Sequence, residues 1–112
     1  MAWIYLIMAG LFEIGWPVGF KLAQSGSNVM HIFGISMAVI CLGISGYLLF
    51  IAQKIIPLGT AYAIWTGIGA AGTFFIGVLV FSDPSSLMRY VGVIFIISGV
   101  ITLKLASSSK PA

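Results

Sequence analysis

Glu13 is the one acidic side chain in the apolar part of this sequence, and it lies near the middle of the first membrane-length run, Ala2 to Lys21. The other acid, Asp83, stands beside Pro84 in a loop. Ionisable groups at membrane depth are costly to keep and mark ion or substrate paths. Lys21, the nearest base along the run, is about 12 Å away at ~1.5 Å of helix rise per residue, too far to pair directly. A carboxylate without a basic neighbour can be compensated by a proton or by a cationic ligand. The chemistry expected at Glu13 is therefore competition between protons and a cation for one group.

Residues three, four and seven apart share a helix face, so Leu6, Gly10, Glu13, Trp16, Pro17 and Phe20 form one stripe. Gly10 removes bulk one turn before the acid, and Trp16 offers an electron-rich face one turn after it. Pro17 has no N–H for the carbonyl of Glu13, so a kink and a freed acceptor are expected beside the carboxylate.

A second cluster runs from Gly59 to Gly72. Tyr62, Trp65, Thr66 and Gly69 share a face and could surround a small cation, which an indole face attracts by ~2 kcal/mol or more when desolvated. The structural alternative for Tyr62 and Trp65 is an interfacial aromatic belt, the role that Trp3 and Tyr5 suit better at the edge of the first helix. Gly59, Ala63, Gly67 and Ala71 form a small-residue face suited to close helix packing. Gly67, Gly69 and Gly72 weaken the helix, so Gly67 and Gly69 join Pro17 as expected bending or gating positions. Ser45, between Gly43 and Gly46, either bonds its own backbone or touches a ligand. Gly92 and Gly99 stand two turns apart with Ile96 between them, a pattern for a helix contact that marks the last helix as the dimerisation element.

These residues must be positioned by membrane helices. Of the 112 residues 61% are hydrophobic and 6% charged, and the mean hydropathy is +1.19, which no soluble domain shows. Runs of roughly 20 apolar residues cross a ~30 Å hydrocarbon core, and four of them fill the chain: Trp3 to Phe20, Ile32 to Ala52, Leu58 to Phe81 and Tyr90 to Leu105. The breaks hold turn formers and charges, so a single compact four-helix domain over 1–112 is expected. The first run lacks a basic leader and carries Glu13, so it reads as a mature helix rather than a signal peptide. Cys41 reads as a small buried hydrophobe.

Loop charges give little orientation. Lys54, Lys104 and Lys110 would lie on one side, Lys21 and Arg89 on the other with His31. So weak a bias permits insertion both ways, and four helices enclose little room for a private path. An antiparallel homodimer answers both points. The net charge of +3 is too small and dispersed for nucleic-acid binding. No nucleophile with a base, metal cluster or cofactor motif supports an enzyme.

Taken together, Ala9-Gly10-Leu-Phe-Glu13, the string Pro57-Leu-Gly59-Thr-Ala-Tyr62-Ala-Ile-Trp65-Thr-Gly67-Ile-Gly69-Ala and the Gly92/Gly99 pair resemble the small multidrug resistance family across essentially the whole chain. Trp16, Thr66 and the terminal Leu103-Lys104-Leu105 resemble its guanidinium exporter subtype. The resemblance implies an all-α membrane protein with four transmembrane helices per subunit in an antiparallel, dual-topology dimer of the inner membrane. The implied function is exchange of protons for guanidinium or small guanidinyl cations by alternating access. Glu13 of both subunits would bind either cargo, Ser45 and Tyr62 would orient the carboxylates, and Gly10, Trp16 and Trp65 would wall the pocket. Planar guanidinium matches a carboxylate through paired N–H groups. The alternatives are export of quaternary ammonium and other hydrophobic cations, a non-transporting membrane subunit, or half of a heterodimer with a paralogue. Two departures stand out: Pro17 occupies a position where the subtype usually has Ala, and Gln24 to Gly34 lacks its usual Arg and Pro-Ser.

Overall fold

The computed structural model describes residues 1–109; Lys110, counted above among the loop charges, lies outside them. Four helices follow one another: α1 Ala2–Ala23, α2 Asn28–Ala52, α3 Leu58–Val80 and α4 Leu87–Ser109. All are apolar and long enough to span a membrane. At ~1.5 Å per residue each reaches roughly 33 to 38 Å, against a core of ~30 Å.

Several helix ends lie outside the apolar runs, because caps are polar. α2 starts at Asn28 rather than Ile32, with Ser27 accepting from the Met30 amide at 3.4 Å. Gly26 turns the chain just before it at φ +95, a conformation that suits glycine. α4 starts at Leu87 rather than Tyr90, where the Ser86 hydroxyl accepts from the Arg89 amide at 3.3 Å. It also continues through the serines to Ser109 rather than ending at Leu105. After α3 the chain reverses at Ser82, φ 58, and the Asp83 amide returns to the Gly77 carbonyl at 2.9 Å.

α1 is the central helix, packed along α2 and against α3, while α4 lies against α3. Close approach depends on missing side chains. A Cβ on Gly19 would stand 2.6 Å from the Gly34 carbonyl oxygen, and one on Gly34 would strike the backbone of Gly19 and Ala23. Gly15 likewise makes room for Cys41, a half-buried free thiol at the α1–α2 contact. Between α1 and α3 the spaces are at Gly10 for Ile68, at Gly69 for Glu13 and at Gly72 for Ile14. Gly67 does the same for Val100 of α4.

The expected compact bundle is instead a flat array, 51 × 34 × 16 Å across its Cα atoms. Sixteen ångströms is about two helices deep at the usual ~8–10 Å spacing. α4 is the reason: only 6% of its span is buried, against 28% for α3. Its glycines, Gly92 and Gly99, have nothing within 4 Å and do not serve packing inside this chain. Of the small-residue face on α3, Gly67 and Ala71 are buried, whereas Ala63 is exposed and Gly59 meets open space.

The main apolar cluster sits at one end, where Ala2 and Leu6 of α1 meet Ala52, Ile56, Ala61 and Ile64. Val100 and Leu103 of α4 pack on it, as does Trp3. Lys104 lays its ammonium over the Trp3 ring at 4.6 Å. Trp3 is thus an anchor between α1 and α4 as well as an edge aromatic.

Candidate functional site

Three helices meet at one oxygen. Ser45 of α2 is fully buried, and its hydroxyl donates to the Ala9 carbonyl of α1 at 2.6 Å. Trp65 of α3 donates its indole N–H to the same Ser45 Oγ at 2.7 Å. Glu13 Oε1 lies 3.5 Å from that oxygen, the outer limit of a hydrogen bond. A hydroxyl has one proton to give, and the distances assign it to Ala9. Serving Glu13 instead would require only a rotation of the O–H. Ser45 therefore does not bond its own helix, which was the structural alternative at this position.

The Glu13 side chain enters an open groove of about 280 Å³ between α1 and α3, lined also by Trp16, Pro17, Thr66, Gly69 and Thr73. Glu13 is half-buried. Among the described residues its hydrogen-bonding neighbour is Ser45, and it has no cationic partner. Gly69 shapes the site directly, since a Cβ there would sit 2.5 Å from Glu13 Cγ. Trp16 packs edge-on against Phe20 at 5.5 Å. Thr66 returns its hydroxyl to the Tyr62 carbonyl at 2.8 Å. Two buried polar side-chain atoms have no partner among the described residues, Trp16 Nε1 and Thr73 Oγ1. Both belong to walls of this groove.

The structure thus gathers Glu13, Trp16, Ser45 and Trp65, with Pro17 and Gly69 in the groove wall. Gly10 is not part of that wall. It faces Ile68, and its lack of a side chain lets α1 and α3 close. Tyr62 lies 5.5 Å from Trp65, ring centre to ring centre, but is 56% exposed and makes no hydrogen bond to Glu13 among the described residues. α1 continues unbroken through Pro17, and α3 through Gly67 and Gly69. Gly92 and Gly99 are exposed and do not line this groove; they line separate open clefts between α4 and α3. Two features were not expected, the Ala9 carbonyl as Ser45's acceptor and Thr73 as a wall residue. Thr73 could have been found by its spacing, one turn beyond Gly69 on the same face. The carbonyl leaves no mark in a sequence.

With four membrane-spanning helices and a lone acid in their midst, comparison with known proteins is informative. The family model described as Small Multidrug Resistance protein matches residues 1–96. The guanidinium exporter of Proteus vulgaris is 44% identical over 108 residues, covering 96% of this chain and all of that relative. The guanidinium exporter of Yersinia pestis is 41% identical over 107 residues, covering 96% of this chain and 100% of its own length. That of Escherichia coli K12 is 39% identical over 107 residues, with 96% and 99% covered. Extent of match and helical architecture agree with a multi-pass protein of the inner membrane. The chain belongs to the small multidrug resistance family.

Proposed function

We propose that this protein is a proton-coupled antiporter that exports guanidinium or a small guanidinyl cation by alternating access, as an antiparallel dimer of two such chains. The observation that carries this reading is the Glu13 carboxylate, facing a groove with an indole wall and no cation of its own. Similarity to guanidinium exporters over nearly the full length supports the substrate class.

The chemistry follows from occupancy. A guanidinium ion presents paired N–H groups that fit the two oxygens of Glu13, while Trp16 offers an aromatic face to its charge. A proton on Glu13 removes the charge and with it the attraction for the cation. Either cargo excludes the other, so a proton gradient can drive the cation outward. The flat shape and exposed α4 support a second copy, which would cover Tyr62, Gly92 and Gly99. Transport, not catalysis, is the activity such a site supports.

The test is proton exchange in proteoliposomes, with guanidinium compared against tetramethylammonium for the wild type and Glu13→Gln. Guanidinium-dependent exchange that vanishes in Glu13→Gln is expected. Transport surviving in that variant would sink the mechanism. Exchange with tetramethylammonium alone would replace the substrate by quaternary ammonium, which needs aromatic surface and charge but no hydrogen-bond acceptor.

A further inference from the structure

We propose that Thr73 is a specificity-determining residue of the Glu13 groove, its hydroxyl oxygen accepting a hydrogen bond from an N–H of the bound guanidinyl cation. This rests on the cation-binding reading of the groove given above. Threonine inside a helix ordinarily returns its hydroxyl to a carbonyl three or four residues back. Thr66 does so at 2.8 Å to Tyr62, and Thr102 at 2.7 Å to Ser98. Thr73 does not. Its Oγ1 has no partner among the described residues and is out of reach from the groove as the side chain stands, so a ligand would engage it through a turn about χ1. A buried hydroxyl left unpaired is unfavourable, so a ligand that supplies a donor to it is favoured.

Position supplies the ligand. Thr73 lies one helical turn beyond Gly69, on the α3 face that the missing Gly69 side chain brings against Glu13. A guanidinium held edge-on by the Glu13 carboxylate spends one pair of N–H groups there and turns the rest toward the remaining walls. Those N–H groups need acceptors. The Trp16 indole is a donor only, so it cannot meet them, whereas a hydroxyl can. Thr73 also lines, with Pro17, an adjoining cleft of about 180 Å³ that reaches Lys21 and Asp83. It therefore lines both clefts, where the carboxylate groove continues toward the end of the helices. A quaternary ammonium has no N–H and gains nothing from Thr73, which is why the residue discriminates.

The experiment measures initial guanidinium uptake in proteoliposomes for wild type, Thr73→Val, Thr73→Ser and Glu13→Gln, with thermal unfolding of each in detergent. Valine keeps the shape and removes the hydroxyl. The expected result is a KM for guanidinium about ten-fold higher in Thr73→Val at nearly unchanged kcat, the effect of one hydrogen bond to a charged group, and recovery in Thr73→Ser. Wild-type KM in Thr73→Val would overturn the proposal, all the more if Tm rises, since the hydroxyl would then be an unpaired group and nothing more. If Thr73→Val does not fold, Thr73→Ala carries the same comparison. The outcomes separate the two readings: activity in Glu13→Gln refutes the antiporter, whereas a dead Glu13→Gln with an unaltered Thr73→Val refutes only the role of Thr73.

Discussion

Trp65 donates its indole N–H to Ser45 across 2.7 Å, tying α3 to α2. These two helices touch little elsewhere. The bond also occupies a lone pair of the very oxygen that stands beside Glu13, so it holds Ser45 where it can serve either Ala9 or the carboxylate. Replacing Trp65 with Phe keeps most of the ring and removes the donor. A several-fold rise in KM for guanidinium is expected, in line with a net ~1 kcal/mol for one hydrogen bond. Proteoliposome uptake would register it, and an unchanged KM would show that the bond is dispensable.

Ser45→Ala removes more. It leaves the Trp65 N–H without its acceptor and removes the second hydrogen bond on the Ala9 carbonyl, which keeps its helical bond from the Glu13 amide. Stranding the one buried donor costs about 1–3 kcal/mol, and losing the hydroxyl's own bond adds ~1 kcal/mol. Thermal melts in detergent should rank Ser45→Ala well below Trp65→Phe, and the reverse order would contradict this account of the network.

Gly69→Ala tests how the carboxylate is seated. The added methyl would lie 2.5 Å from Glu13 Cγ, so Glu13 must rotate or α1 must move. Overpacking of this kind costs about 1–3 kcal/mol, and the displaced group is the proposed cation-binding carboxylate. Uptake should fall by far more than stability does. Equal losses in both would mean that Gly69 matters for folding alone.

Gly19→Ala makes a clash of another sort. The new Cβ would meet the Gly34 carbonyl and the Ala38 amide, neither of which can swing aside as a side chain can. Destabilisation by ~1–3 kcal/mol is expected, with the KM of the remaining folded protein little altered. A melt indistinguishable from wild type would show that α1 and α2 separate at no cost.

Gly92→Leu and Gly99→Leu probe α4. A Cβ at either glycine meets nothing within 4 Å in a single chain, so the backbone there has room for a side chain. If α4 joins two copies, crosslinking between cysteine-tagged ends should fall sharply in both variants. Undiminished dimer in both would place the subunit contact elsewhere.

How much of this was legible in the sequence varies with the physics. Four membrane helices followed from apolar run length, because a bilayer imposes one length on all of them. Their ends were misplaced by several residues, as at Asn28 and Leu87, since Ser27 and Ser86 cap beyond the reach of hydropathy. Glu13, Trp16 and Pro17 could be grouped from helical spacing because they belong to one helix. That Ser45 and Trp65 meet is a fact of three helices packing together, which periodicity within any one of them cannot give. Gly10 shows the converse. Spacing placed it beside Glu13 correctly, yet its missing side chain serves Ile68 and not the groove. The open position of α4 was illegible too, since an apolar helix face reads alike whether lipid, another helix or a second subunit covers it.

The apolar cluster around Leu6, Ile56 and Ile64 gathers one end of all four helices, from the start of α1 to Val100 and Leu103 of α4. Mechanically, that makes it a fulcrum. A helix pivoting about this end sweeps a small arc at Glu13 and a larger one at Lys21 and Asp83, in proportion to distance. A few degrees of tilt would displace the far mouth of the cleft about twice as far as the Glu13 and Ser45 network, in the ratio of their distances along the helix at ~1.5 Å per residue.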